Sequence, residues 1–192
     1  MASGKLQKSF NKQPSRSEVV AFVGAAAAGN NDAAVIKFLD EYGSAYIEEK
    51  DNNGFTALMD ATACGRLSTV KLLLERGADI EQKNEHGWTP LMRATWNRHA
   101  AIVALLLEKG ADLDEKNPAG DTALMMSRKR DKPEITSLLE KETESRAQRL
   151  AEQIRQEAEK KARDLAEDIA DFSPALKRDI PVRRPFRIGK AP

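Results

Sequence analysis

The chain has 192 residues, a formal net charge of +1 and 41% hydrophobic residues, enough for one sizeable core with appended tails. Its single cysteine, Cys64, excludes an internal disulfide and a zinc site built from several cysteines. The longest apolar run, VVAFVGAAAA, has about half of the roughly 20 residues that a membrane-spanning helix needs, so we expect no membrane span.

The charge is unevenly distributed along the chain. Residues 1–17 contain four basic residues and no acid, residues 18–133 contain 14 basic and 18 acidic residues, and residues 173–192 contain six basic residues and one acid. A mildly acidic body therefore has a basic extension at each end. We predict that residues 1–17 form a flexible basic arm. Because their composition also suits a mitochondrial presequence, that alternative stays open.

Residues 51–116 contain two copies of a 33-residue unit. DNNGFTALMDATACGRLSTVKLLLERGADIEQK aligns with NEHGWTPLMRATWNRHAAIVALLLEKGADLDEK without a gap. A third copy begins as NPAGDTALMMS and then departs from the pattern, and residues 18–50 match it loosely. A fixed period of this length is the signature of a repeat architecture, so we predict about four repeats over residues 18–133.

Each copy has the signals of two helices. A glycine-containing turn leads to a threonine that can cap a short first helix, followed in one copy by Pro90 at the first helical position. A second helix carries Val and Leu and is closed by Gly77 or Gly110. Leu58 and Leu91 cannot be buried within one unit of 33 residues, so we expect neighbouring units to stack.

The pattern G-x-T-P-L-x-x-A, followed by V-x-x-L-L-L-x-x-G-A-D, resembles the ankyrin repeat. The resemblance implies an all-α solenoid of helix-turn-helix repeats. Two departures stand out. Methionine (Met59, Met92 and Met125) occupies the place where the family usually has histidine, and Arg98 replaces a glycine between the helices, so we expect the left-handed residue to shift to Asn97.

The resemblance also implies which side chains face outward on the concave side of such a stack. They are the second, third and fifth residues of each turn and two consecutive residues late in each first helix. With the helix residues Asp60 and Arg93, which lie beside this face, the candidate partner-binding residues are Asn52, Asn53, Phe55, Asp60, Glu85, His86, Trp88, Arg93, Trp96, Asn97, Lys129 and Arg130.

Both tryptophans of the chain, Trp88 and Trp96, belong to this set, and Phe55 lies one period before Trp88. Large aromatic side chains often pack against their own neighbours, which is the alternative. However, the repeat already fills its interior with Leu, Ala and Val. We therefore interpret the three rings as a patch that is directed at a partner protein.

Residues 134–172 are predicted to form a long charged helix, because they contain no Gly or Pro and are rich in Glu, Lys, Arg, Ala and Leu. A coiled coil would have a thin, alanine-centred seam, so we expect a monomer. Residues 173–192 contain four prolines and are predicted to be an extended basic tail. Its basic residues are Lys177, Arg178, Arg183, Arg184, Arg187 and Lys190. Nucleic acid or another anionic surface could bind them, but six charges without a folded platform do not favour such a partner.

The sequence indicates little chemistry. Neither His86 nor His99 has a cysteine or second histidine nearby, and no phosphate-binding glycine pattern or nucleophile–base pair is evident. We therefore predict a noncatalytic adaptor or scaffold without metal or cofactor, acting through protein–protein interaction in the cytoplasm. The alternatives are an accessory subunit of a large assembly, held by its terminal arms, and a nuclear or mitochondrial location.

Overall fold

The computed structural model describes residues 13–29 and 31–178, with side chains up to residue 168. This part of the chain is helical and contains no strand. A single 3₁₀ turn, Ser44–Tyr46, follows the second helix. The α-helices, in chain order, are α1 (Arg16–Ala27), α2 (Asp32–Tyr42), α3 (Ala57–Ala63), α4 (Leu67–Glu75), α5 (Pro90–Trp96), α6 (Ala100–Glu108), α7 (Ala123–Lys129) and α8 (Pro133–Arg178).

The helices are arranged in two rows, as the predicted all-α stack requires. The first helices α1, α3, α5 and α7 pack side by side, and α2, α4 and α6 form the second row. The start of α8 supplies the second helix of the fourth pair, because Ile135 and Leu139 join the common core. Both the all-α fold and the long C-terminal helix are thus confirmed.

Stacking buries the repeated apolar positions. Leu58, Leu91, Leu73 and Leu106 are at most 1% exposed. Burial of one such side chain contributes roughly 1.5–3 kcal/mol, so the periodic leucines account for much of the stability of the stack. Met59 and Met92, in the usual histidine position of the family, are equally buried. By contrast, Met125 of the degenerate last copy is 46% exposed.

A threonine begins each of the three short first helices. The hydroxyl oxygens of Thr56, Thr89 and Thr122 accept hydrogen bonds from backbone N–H groups three residues later, at 3.3–3.4 Å. These threonines are 1–9% exposed, so their hydroxyls satisfy N–H groups that water could not reach. The predicted capping role of the threonines is consistent with this geometry.

The expected shift of the left-handed residue to Asn97 is wrong. Asn97 has an ordinary φ of −86°, and Arg98 itself has a φ of +66°. Gly65 and Asp131, one period away on either side, have φ of +73° and +50°. The register of the stack therefore imposes the left-handed conformation at one fixed place, whatever residue is there, although asparagine adopts it more easily than arginine.

Neighbouring repeats are joined by basic side chains at another fixed position. Arg66 Nε donates to the carbonyl of Ala27 (2.9 Å), His99 Nε2 lies 3.0 Å from the carbonyl of Ala63, and Lys132 Nζ donates to the carbonyl of Trp96. In each case the acceptor ends the first helix of the preceding repeat. A cation or N–H group there satisfies carbonyls that lack an intrahelical partner.

The predicted arm of residues 1–17 is too long by two residues. Helix α1 begins at Arg16, and the hydroxyl of Ser15 caps it in a reciprocal arrangement with Glu18. The Arg16 guanidinium also donates to the carbonyls of Lys50 (2.8 Å) and Asp51 (2.9 Å). The helix starts here because the cap and these bonds compensate for ordering the chain. The remainder of the predicted arm up to residue 12 lies outside the described residues.

The C-terminal boundaries also differ from the prediction. The compact unit that contains the repeats ends at Glu144, not at residue 133. The helix predicted over residues 134–172 runs as α8 to Arg178, so residues 173–178 are helical and not extended. Pro174 removes one helical hydrogen bond but does not end the helix. Residues 179–192 lie outside the described part of the chain.

Candidate functional site

A polar residue at the first position of each turn between repeats fixes the backbone of that turn. The side-chain Oδ1 of Asn84 accepts hydrogen bonds from the backbone N–H groups of His86 (3.0 Å) and Trp88 (2.9 Å). Asp51 and Asn117 make the same pair of bonds in the neighbouring turns. Such Asx turns fix the backbone locally. The third and fifth residues of each turn are thereby held in a defined direction.

The two tryptophans contact each other. The ring centroids of Trp88 and Trp96 are 5.0 Å apart at an interplanar angle of 74°, an edge-to-face arrangement. Trp96 is 37% exposed, whereas Trp88 is half-buried and also packs against the core. The turn and the end of α5 are thus joined by one aromatic pair that is not sealed from solvent.

Arginines of the following repeat lie over the rings of the preceding one. The Cζ atom of Arg93 is 4.6 Å from the ring centroid of Phe55, and that of Arg130 is 3.2 Å from the ring centroid of Trp96. Both distances are within the range of a cation–π interaction, which contributes about 0.5–1 kcal/mol at an exposed site. The same arrangement therefore occurs at two successive repeat junctions.

A groove of about 220 Å³ lies beside the tryptophan pair, lined by Asn84, His86, Trp88, Arg93 and Trp96. Arg93 Nε is buried and has no hydrogen-bond partner among the described residues. Leaving a buried donor unpaired costs about 1–3 kcal/mol, so this N–H would gain from an acceptor. The lining side chains combine aromatic surface with hydrogen-bond donors.

Asp60 lies beside the same face and is half-buried. Burial raises the pKa of its carboxyl above the usual 3.8, and the nearby Asp51 raises it further, while Arg93 lowers it. Because only Arg93 opposes the other two effects, the Asp60 carboxylate takes up a proton more readily than that of a surface aspartate.

The other predicted face residues differ in how far they are engaged within the chain. Asn53, Glu85 and His86 are exposed at the turn tips, and the Asn53 Nδ2 donates to Asp51 Oδ2 (3.1 Å). Three more make contacts of their own: Asn52 Oδ1 accepts from Arg16 Nε (3.2 Å), Asn97 Nδ2 donates to the carbonyl of Arg93 (3.1 Å), and Lys129 pairs with Asp121 (2.6 Å).

The predicted basic tail cannot be placed as a whole. Lys177 and Arg178 fall in the last turn of α8. The other four residues lie outside the described part of the chain, and they are Arg183, Arg184, Arg187 and Lys190.

Two features that contribute to the site are absent from the sequence-based prediction. One is the set of Asx residues that starts the turns, and the other is Lys132, which is 6% exposed and donates to the carbonyls of Thr95 (3.1 Å) and Trp96. Burial and the charges of Arg98 and Arg130 lower the pKa of Lys132. The recurrence of Asp or Asn at 33-residue spacing was the available signal for the turns.

The described residues offer no sign of a metal centre. Within residues 13–29 and 31–168, no group of three His, Cys, Asp or Glu side chains could hold a metal ion. In the same part of the chain, every helix is too short or too polar to cross a membrane. Cys64 is a free, exposed thiol.

Helix pairs that stack in two parallel rows define a helical repeat protein. Residues 24–117 match the family model of ankyrin repeats (3 copies). The protein is an ankyrin-repeat protein, and ankyrin repeats are in general protein–protein interaction modules. No curated protein matches the chain.

Proposed function

We propose that the protein is a noncatalytic adaptor that binds a partner protein through the face formed by Phe55, Trp88, Trp96, Arg93 and Arg130, here named the aromatic face. The observation that supports this proposal is the edge-to-face tryptophan pair at 5.0 Å with Trp96 still 37% exposed. Tryptophan and arginine are the residue types most enriched among those that dominate binding energy at protein interfaces.

The stack does not need Trp96 for its own packing. The core is filled by Leu, Ile, Val, Ala and Met side chains together with Phe22, Phe38 and Tyr42 of the first repeat, and Trp96 lies outside this cluster. More than a third of the Trp96 surface stays in contact with water, and this exposed part contributes nothing to folding, since the hydrophobic contribution scales with the area removed from water. A binding role accounts for its position better than a folding role does.

A second attachment through α8 belongs to the same proposal. In this segment Leu150, Ile154 and Leu165 are 57%, 60% and 60% exposed. Their spacing places them along one stripe of the helix, which suits docking against a protein groove. In this view the repeats recognise one partner while α8 and the basic tail engage another surface, with the cytoplasm as the expected location.

The same exposed stripe favours one alternative, an accessory subunit of a large assembly that is held mainly by α8 and the tail. There the repeats would serve as scaffold and the aromatic face would be secondary. An enzymatic function ranks third, because no described cluster combines a nucleophile with a base. Turnover by the purified chain alone would promote it.

Affinity purification with quantitative mass spectrometry separates the two leading functions. Trp88→Ala with Trp96→Ala should lose the partner while the helical circular dichroism signal is kept. Leu67→Ala is the matched control, because Leu67 is also an exposed large hydrophobic residue (43%) but belongs to α4 in the other row. Unchanged partners in the double-tryptophan variant, with partners lost on deletion of residues 179–192, would favour the accessory subunit.

A further inference from the structure

An excess of positive charge surrounds Trp96. Arg130 lies over its ring, Arg93 lines the same groove, and Lys132 Nζ donates to its backbone carbonyl. Arg98 is close enough to Lys132 for its charge to act on that ammonium group. Four cationic side chains therefore lie around Trp96, Arg93 toward the second repeat and the other three at the junction of the third and fourth repeats.

These cations lack the carboxylate partners that other basic residues of the stack have. Arg76, Arg128 and Lys129 form ion pairs at 2.6–3.0 Å. Within the described side chains, by contrast, no ion pair involves any of the four cations around Trp96.

The nearest acids do not change this conclusion for the groove. Asp131 and Glu134 border a different cavity, next to Arg98 and Lys132. Asp60 interacts electrostatically with Arg93 but forms no ion pair with it among the described side chains. The positive charge beside the tryptophans consequently belongs to Arg93, which lines the groove, and to Arg130, which lies over the Trp96 ring, and an anionic ligand group there would be attracted.

The size of the groove limits what it can take. Its volume of about 220 Å³ is below the roughly 300 Å³ at which small-molecule pockets begin, so it suits one side chain of a larger ligand. The tryptophan rings provide an apolar wall for that side chain. A guanidinium that stacks on a ring still presents its N–H groups along its edge, where a carboxylate can accept two hydrogen bonds.

We propose that the aromatic face binds an acidic peptide segment in which an Asp or Glu lies next to an apolar residue. The apolar side chain packs against Trp88 and Trp96, and the carboxylate accepts hydrogen bonds from the guanidinium groups of Arg93 and Arg130. A nucleic acid fits less well, because the groove beside the tryptophans has room for one side chain and offers no continuous row of cations for successive phosphates.

This inference rests on the proposed function, and it is tested with a defined probe. The full chain is immobilised and screened with a random 12-residue peptide library on phage, and the selected peptides are synthesised and titrated. Both tryptophans of the protein lie in the site, so intrinsic fluorescence reports binding directly.

We expect the selected peptides to be enriched in Asp and Glu next to Leu, Ile or Phe. Arg93→Gln and Arg130→Gln should each weaken binding about tenfold, as expected when one charge-assisted pair of an interface is lost. Arg76→Gln is the matched control, since Arg76 pairs with Asp40 at the end of α4, and it should bind as the unmodified chain does.

The possible outcomes are distinguishable. Peptides without acidic enrichment that still require both tryptophans would overturn the acidic class and leave the adaptor function standing. Binding that survives Trp88→Ala and Trp96→Ala would overturn both the acidic ligand and the adaptor function of the aromatic face. A screen that selects no peptide would overturn the proposal of an acidic peptide ligand. Tighter binding of a 20-nucleotide poly-dT strand than of any selected peptide would also contradict it.

Discussion

Replacing Gly65 by alanine should destabilise the stack by about 2–3 kcal/mol, from two separate causes. The φ of +73° at this position places a β carbon against the following carbonyl, which costs roughly 1–2 kcal/mol. The added carbon would also lie 2.7 Å from Cε1 of His99. The imidazole must then move, and its contact with the carbonyl of Ala63, worth about 1 kcal/mol, is lost.

Urea unfolding followed by far-ultraviolet circular dichroism measures this loss, provided that the m-values of the variants agree. A second background isolates the ring contact. With His99→Ala in place, Gly65→Ala should cost only the backbone part of about 1–2 kcal/mol, so the cycle yields a coupling of about 1 kcal/mol. A total loss below about 0.5 kcal/mol, the scale of an ordinary surface change, would refute the left-handed strain. Equal costs in both backgrounds would refute the contact with the ring.

Three further predictions concern neighbouring positions. Arg98→Gly should stabilise the fold by about 0.5–1 kcal/mol because it relieves the same strain at φ +66°, whereas Asn97→Gly should not stabilise it, and thermal unfolding compares the two. Thr89→Ala should cost about 1 kcal/mol in urea unfolding through the lost helix cap, while Ser68→Ala on exposed α4 surface should be neutral. Burial raises the folded-state pKa of Asp60. The protonated carboxyl therefore favours the folded state below its usual pKa of 3.8, and this contribution is lost as the pH rises through the folded-state pKa. Asp60→Asn should accordingly be more stable than the unmodified chain at pH 7 but not at pH 3, and unfolding measured at both pH values tests this.

Much of the stack could be predicted from the sequence because its determinants are local and repeat as identical residues. Threonine before each short first helix, glycine after the second helix and leucine on the inward sides each have a steric or hydrogen-bonding reason that works within one unit. Stacking follows from the leucines, which one unit of 33 residues cannot bury. The helix boundaries are accordingly close to those predicted over residues 51–116.

The side-chain hydrogen bonds that join neighbouring repeats could not be predicted by matching identical residues. Arg66, His99 and Lys132 occur at one period but are three different residue types. What they share is a nitrogen donor on a side chain long enough to reach the preceding helix end, which becomes visible only when the acceptor carbonyls are in place. The left-handed Arg98 was missed for a related reason, since local preference favoured Asn97 and the register of the stack decided otherwise.

The outward direction of the candidate site was an expectation from the resemblance, but the pairing of its side chains needed coordinates. Phe55 and Trp96 are separated by more than one period, yet each lies beneath an arginine of the following repeat. Trp88 was expected to face outward, and in the structure it also packs against the core. An aromatic at a turn can serve both roles because its ring has two faces.

The contacts that hold the repeats together also shape the aromatic face, so stability and binding are physically linked. The Arg93 guanidinium over Phe55 joins the second and third repeats, and the Arg130 guanidinium over Trp96 joins the third and fourth. Lys132 binds the carbonyl of Trp96 itself, which fixes the end of α5 from the next repeat. A variant that loosens the fourth repeat would thus displace two of the cations around the tryptophans without touching the partner. Reduced binding in such a variant is evidence for direct contact only if unfolding measurements show that the repeat junction is intact.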